Sequence, residues 1–111
     1  MRRANVFNNG IFAGTLTEVS SREYVFRYDN VYFVDPGLPA VSLTLPKSRQ
    51  EYRAGWLFPF FANMLSEGAN REVQARLHKL DPSDDFGLLL ATASVDTPGS
   101  VTIRPCADDT I

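Results

Sequence analysis

Cysteine is almost missing from this 111-residue chain. Cys106 is the only one, so no intrachain disulfide can form and no thiolate cage for zinc is available. Histidine is equally scarce: His78 stands alone between Leu77 and Lys79, with no second histidine or cysteine to complete a metal site. Long apolar runs are lacking too. The longest, Trp56 to Ala62, is broken by Pro59 and falls far short of the ~20 residues that a membrane-spanning helix needs. The N-terminal Met1-Arg2-Arg3-Ala4-Asn5 is basic, but Asn8, Asn9 and Gly10 interrupt the apolar stretch that a secretory signal would require. These features predict a soluble, cytoplasmic protein without membrane contact.

The signatures of catalysis are missing as well. No Walker-type or dinucleotide-binding glycine pattern occurs, and no Gly-x-Ser-x-Gly elbow presents a nucleophile. Asp84 and Asp85, like Asp108 and Asp109, are sequence neighbours. Such neighbours read as helix caps or solvated runs rather than a facing acid/base pair. Asp85-Phe86-Gly87 spells the metal-binding tripeptide of protein kinases, but the glycine-rich loop, strand lysine and His-Arg-Asp loop it works with are not in the chain. Phe86 is better read as the first core residue of a helix. The chain is predicted to be non-enzymatic and to need no cofactor or metal.

Charge is modest but uneven. Residues 1–53 hold seven Lys/Arg against five Asp/Glu, and residues 54–80 hold three against two. Residues 81–111 hold one against six, leaving the chain at −2 overall. That balance argues against direct nucleic-acid binding, which needs clustered cations. An acidic end of this kind either solvates a face or matches a basic patch on a partner.

What is present reads as one α+β domain over residues 1–111, a size that supports a single core. The first half is strand-like. Asn5 to Asn8 and Ile11 to Leu16 flank Asn9-Gly10, a signal for a type I′ hairpin. Tyr24, Phe26 and Tyr28 alternate onto one face. Val31 to Val34 reads as a strand after an Asp29-Asn30 turn, and Asp35-Pro36-Gly37 as a turn. Val41 to Leu45 alternates apolar and hydroxyl residues as a half-buried strand does, stopping at Pro46.

The second half changes period. Leu57, Phe60, Phe61, Met64 and Leu65 fall on one helical face, with Gly68 as its stop. Asn70 to Leu80 predicts a second helix with Val73, Leu77 and Leu80 inward and Glu72 to Arg76 as an exposed pair. Phe86, Leu89, Leu90 and Ala93 form a third apolar stripe after Asp81-Pro82. Val101 to Ile103 is a short last strand able to return to the sheet. The expected architecture is a small, mostly antiparallel sheet with about three helices packed on one side.

Trp56 stands outside the helical stripe. Tryptophan is the residue most enriched at binding hot spots, which makes Trp56 an interface candidate. Burial beneath the 47–55 loop as core is the other placement open to a large aromatic.

The order of these pieces resembles the N-terminal subdomain of HipA-family serine/threonine kinases from about Val6 to Pro105. The resemblance runs through the hairpin Val6 to Leu16, the strand Tyr24 to Tyr28, the segment Ala40-Val41-Ser42-Leu43-Thr44-Leu45-Pro46, and the run Phe60 to Arg71. It continues through Asp85 to Leu89 and ends at Gly99-Ser100-Val101-Thr102-Ile103-Arg104-Pro105. Ala40 and Ser66 depart from the family's usual prolines, and Ser94 stands near a usual glycine. The chain ends where an intact member would begin its ATP-binding core, so no ATP-binding residue carries over.

The resemblance implies an interface rather than an activity. In the family's split systems such a chain accompanies a HipT-like kinase toxin and a HipB-like helix-turn-helix protein, as an antitoxin that restrains the kinase. The interface expected on this reading comprises Trp56, Phe58, Pro59, Asn63, Glu67 and Arg71. An accessory bridging kinase and DNA-binding protein without inhibiting the kinase is the alternative.

Overall fold

The computed structural model describes residues 2–65, 68–81, 83–92 and 100–105. Its framework is a five-stranded sheet: β1 (Arg2–Asn8), β2 (Ile11–Ser20), β3 (Glu23–Tyr28), β4 (Glu51–Ala54) and β5 (Val101–Pro105). The spatial order is β4-β3-β2-β1-β5 and every pairing is antiparallel. Among the described residues four helices complete the α+β fold: α1 (Asn30–Val34), α2 (Pro59–Ala62), α3 (Gly68–Leu77) and α4 (Asp85–Thr92).

The β1–β2 hairpin turns as its sequence predicts. Asn9 and Gly10 both adopt positive φ, 53° and 81°, the requirement of a type I′ turn. A bulge then places Phe7 opposite Phe12 while Val6 stays opposite Gly14. Gly14 has a steric reason to lack a side chain, because a Cβ there would lie 2.3 Å from the Arg27 carbonyl oxygen of the neighbouring strand. The returning strand β5 pairs with β1 and closes that edge of the order.

Alternation sorts the sheet into two faces. Ala4, Val6, Leu16, Tyr24, Phe26, Tyr28, Val101 and Ile103 are buried on the inner one. Against them pack Leu57, Phe58 and Phe61 around α2, Phe86 and Leu89 of α4, and Tyr32 of α1. Phe60, Met64, Leu65 and Leu90 are partly buried on the same core, so the apolar stripe of the sequence does face inward. The helix that carries it is shorter than its stripe: α2 is one turn, continued by the turn bonds from Met64 N–H to Phe61 O and Leu65 N–H to Ala62 O.

Several expectations are corrected. Val31 to Val34 forms the one-turn helix α1 instead of a strand. The Asp29 carboxylate accepts from the Tyr32 N–H and caps it, while Tyr32 stacks on Tyr28 at 6.0 Å. Local capping and ring burial therefore override the β-branched propensity of Val31 and Val34, which are left exposed. Val41 to Leu45 is a turn-rich loop, not a strand. Val41 and Leu45 are buried, but Leu43 between them is fully exposed. The Tyr28 hydroxyl takes the place of a ladder partner here, donating to the Leu45 carbonyl and accepting from the Val41 N–H at 3.0 Å.

Gly68 opens α3 rather than ending the helix before it. Val73 and Leu77, predicted inward, are 53% and 74% exposed, whereas Ala75 is buried. α3 ends at Leu77, where the Lys79 N–H bonds to Arg76 O and the Leu80 N–H to Ala75 O. That pair of bonds is a Schellman cap in which Lys79, at φ 57°, occupies the position usually given to glycine. Strand β4, by contrast, forms within the expected 47–55 loop, where it pairs along β3. Ala93 of the third stripe lies outside the described residues.

Burial pushes the Tyr28 phenol up to about 12, so the ring stays neutral and able to donate. Removing its hydroxyl orphans two backbone groups in the core. Tyr28→Phe should cost about 1–3 kcal/mol, the penalty for buried unsatisfied polar groups. Chemical denaturation followed by circular dichroism measures it, and an unchanged midpoint would contradict the role given to this hydroxyl.

Candidate partner-binding surface

Trp56 lies between β4 and α2, on the short bend that carries the chain from the sheet edge into the helical layer. Its neighbours fix it from both sides. Tyr24 pairs with Ala54 in the ladder, and the Leu57 and Phe58 side chains are buried. Phe58 meets Phe61 edge-on at 6.3 Å. Pro59 starts α2 at its first position, where a missing N–H costs nothing. Clamped this way, the bend turns the indole outward: Trp56 is 67% exposed. Of the two placements open from sequence, core is ruled out.

The structure divides the six interface candidates. Trp56, Pro59 and Asn63 are exposed, and Pro59 and Asn63 are four residues apart on the same side of the α2 turn. Phe58 is in the core and supports the bend from beneath. Glu67 lies outside the described residues. Arg71 is partly buried and its guanidinium is engaged with the Asp85 carboxylate, joining α3 to α4.

A second construction holds this helical layer to the sheet. The Arg2 fork donates to both Asp84 oxygens, at 3.0 and 2.8 Å, and its Nε donates to Glu18 at 2.8 Å. Glu18 also accepts from the Tyr24 hydroxyl at 3.0 Å, and the Arg2 guanidinium lies 5.3 Å from the centre of the Phe86 ring. Asp84 accepts in addition from the Gly87 N–H and so caps α4. A Cβ on Gly87 would sit 2.3 Å from the Asp84 carboxylate.

The kinase-like tripeptide is thereby accounted for structurally. Asp85 pairs with Arg71, Phe86 fills the core against Tyr24, and Gly87 makes room for the clamp. Among the described residues no group of His, Cys, Asp and Glu is arranged to hold a metal ion. None of their helices is long and apolar enough to cross a membrane.

The comparisons with known proteins agree with this geometry. The family model of the HipA N-terminal domain matches residues 4–104, and the chain belongs to that family. The solved N-terminal domain of HipA toxin superposes with a TM-score of 0.71 at 29% identity, covering 96% of this chain and 93% of that one. An uncharacterized protein of Haemophilus influenzae is 34% identical over 90 residues, which is 81% of this chain and 80% of that protein. Two candidate kinases of Sinorhizobium fredii, Y4dM and Y4mE, are 33% and 28% identical over 86% and 95% of this chain. The chain spans only about a quarter of their length, 24% and 25%.

The Arg2 clamp sets a pH dependence. The hydrogen bonds from Arg2 hold the Asp84 carboxyl below the usual carboxylate range, and the Gly87 N–H adds to the effect. A carboxylate depressed on folding stabilises the fold above its unfolded pKa and loses that contribution as pH falls through the folded value. Asp84→Asn should therefore be less stable than the parent at neutral pH, and the gap should close below about pH 4. Thermal melts of both proteins across that range test this; a gap that stays constant would show that the Asp84 charge is immaterial.

Proposed function

We propose that this chain is a non-catalytic binding module: an antitoxin subunit that docks on a HipT-like serine/threonine kinase in the cytoplasm and restrains it. The observation that carries the reading is the outward-facing Trp56 on a bend anchored at both ends, in a chain whose matched residues are those of a HipA N-terminal domain. An exposed indole suits an anchor, because it offers a large apolar area on only two side-chain torsions, so little freedom is lost when a partner's pocket closes over it. Pro59 and Asn63 extend the contact along α2, with Phe58 supporting it from the core. Arg71 acts indirectly by holding α3 on α4, and Glu67 completes the candidate set.

Restraint requires tighter binding to a non-productive arrangement of the kinase than to the active one. A HipB-like helix-turn-helix protein is the third member of such a complex. The 80% of the Haemophilus influenzae protein covered by this chain favours a separate small subunit as a working form of this domain.

Trp56→Ala should weaken binding to the purified kinase by roughly 2–4 kcal/mol, the hot-spot range, without lowering the melting temperature. Isothermal titration measures the loss, and unchanged affinity in the folded variant removes Trp56 from the interface. Co-expression separates inhibition from bridging: an antitoxin rescues growth from the kinase's toxicity, whereas a bridging accessory leaves it unrelieved.

A further inference from the structure

The outer face of the sheet has an organisation that the kinase-docking reading does not use. None of its described residues is buried, yet it is not the bland polar surface usual for the wet side of an antiparallel sheet. The register aligns Glu51, Arg27, Thr15, Asn5 and Arg104 in one row crossing all five strands, from β4 to β5. The next row holds Phe12, Phe7 and Thr102. Phe7 and Phe12 pack together at 5.7 Å, and the Arg104 guanidinium lies 5.6 Å from the centre of the Phe7 ring. A hollow of about 150 Å³ opens beside them, lined by Phe12, Thr15, Arg27, Tyr28, Asp29 and Asn30; the Asp29 carboxylate is turned to the Tyr32 N–H that it caps.

The charges of this face favour an anionic occupant. Arg53 is satisfied by Glu23 and Glu51, at 2.8 and 3.1 Å. Glu51 is thereby shared, and its approach to Arg27 is a loose 3.8 Å. Among the described residues no carboxylate pairs with Arg104. Two cations thus flank a polar centre of Thr15 and Asn5, beside an aromatic pair, which combines the residue types enriched at interfaces. A nucleic acid is disfavoured by the net charge of −2 and the sequence pI of about 5.3.

We infer that the outer sheet face is a docking site for an extended, acidic protein segment whose two carboxylates engage Arg27 and Arg104. Arg27 and Arg104 stand three strand spacings apart, about 14–15 Å. An extended chain rising about 3.3 Å per residue spans that distance in four residues, so the carboxylates fall at i and i+4 with a polar residue between them at i+2. The arginine already stacked on Phe7 is preorganised to receive one of them.

The test uses the full chain and a fluorescein-labelled twelve-residue peptide with Glu-Leu-Thr-Leu-Glu at its centre and Gly/Ser flanks, read by fluorescence anisotropy at low salt. The acidic peptide should bind at least tenfold more tightly than its Gln-Leu-Thr-Leu-Gln counterpart and weaken as salt is raised. The double substitution Arg27→Gln with Arg104→Gln should reduce binding at least tenfold, as should Phe12→Ser. Trp56→Ala should leave it unchanged, which keeps this site separable from the kinase-docking one. No binding of the acidic peptide, equal binding of the two peptides, indifference to the Arg27 and Arg104 changes, or preferential binding of a twelve-nucleotide oligothymidylate would each overturn the inference.

Discussion

Three aromatic rings on one strand organise this protein. Tyr24, Phe26 and Tyr28 point to the same side of β3, and each receives a different part of the chain. Phe86 of α4 comes to Tyr24, Phe61 of α2 comes to Phe26, and Tyr32 of α1 stacks on Tyr28. The Tyr28 hydroxyl then holds the 41–45 loop through Val41 and Leu45. Rings of this size bury large apolar areas and tolerate few arrangements, so they fix both the depth and the direction of what packs on them. Because α1, α2 and α4 are drawn to this inner side, the opposite face of the sheet is left open by the described residues.

Charge reinforces what the aromatics begin. Arg2 joins β1, β2 and the start of α4 through two carboxylates while covering the Phe86 ring. Its guanidinium is held further toward the charged form, chiefly by its hydrogen bonds to Asp84. Tyr24 is drawn into the same network: burial and then Glu18 raise its phenol to about 12, keeping it a donor. Gly87 is the steric condition for this arrangement, since any side chain would enter the space between helix and clamp. A tripeptide that signals metal chemistry in one setting is thus spent on packing in another.

The two candidate surfaces follow from the same framework. The bend at Trp56 is held in place by residues on either side of it, one in the β4 ladder and two in the core. The outer sheet face is the back of the aromatic ladder, its rows set by the same register. Both present large side chains on a scaffold set by the core, in a chain of the HipA N-terminal domain family.

The sequence by itself determined the elements whose signals are local. The Asn9-Gly10 turn, the one-sided aromatics of β3 and the inward stripe from Leu57 to Leu65 depend on steric and periodic rules that act within a few residues. The family was legible for the same reason, being written in short motifs kept in order. Tertiary structure decided the rest, through partners distant in the chain. Val41 to Leu45 lost its strand to a tyrosine hydroxyl, and Glu51 to Ala54 became one because β3 offered an open edge. Whether Trp56 faced core or solvent depended on Leu57 and Phe58 filling the space beneath the bend. The outer row from Arg27 to Arg104 exists only in the register, which brings together residues from both ends of the chain and which no single stretch of sequence encodes.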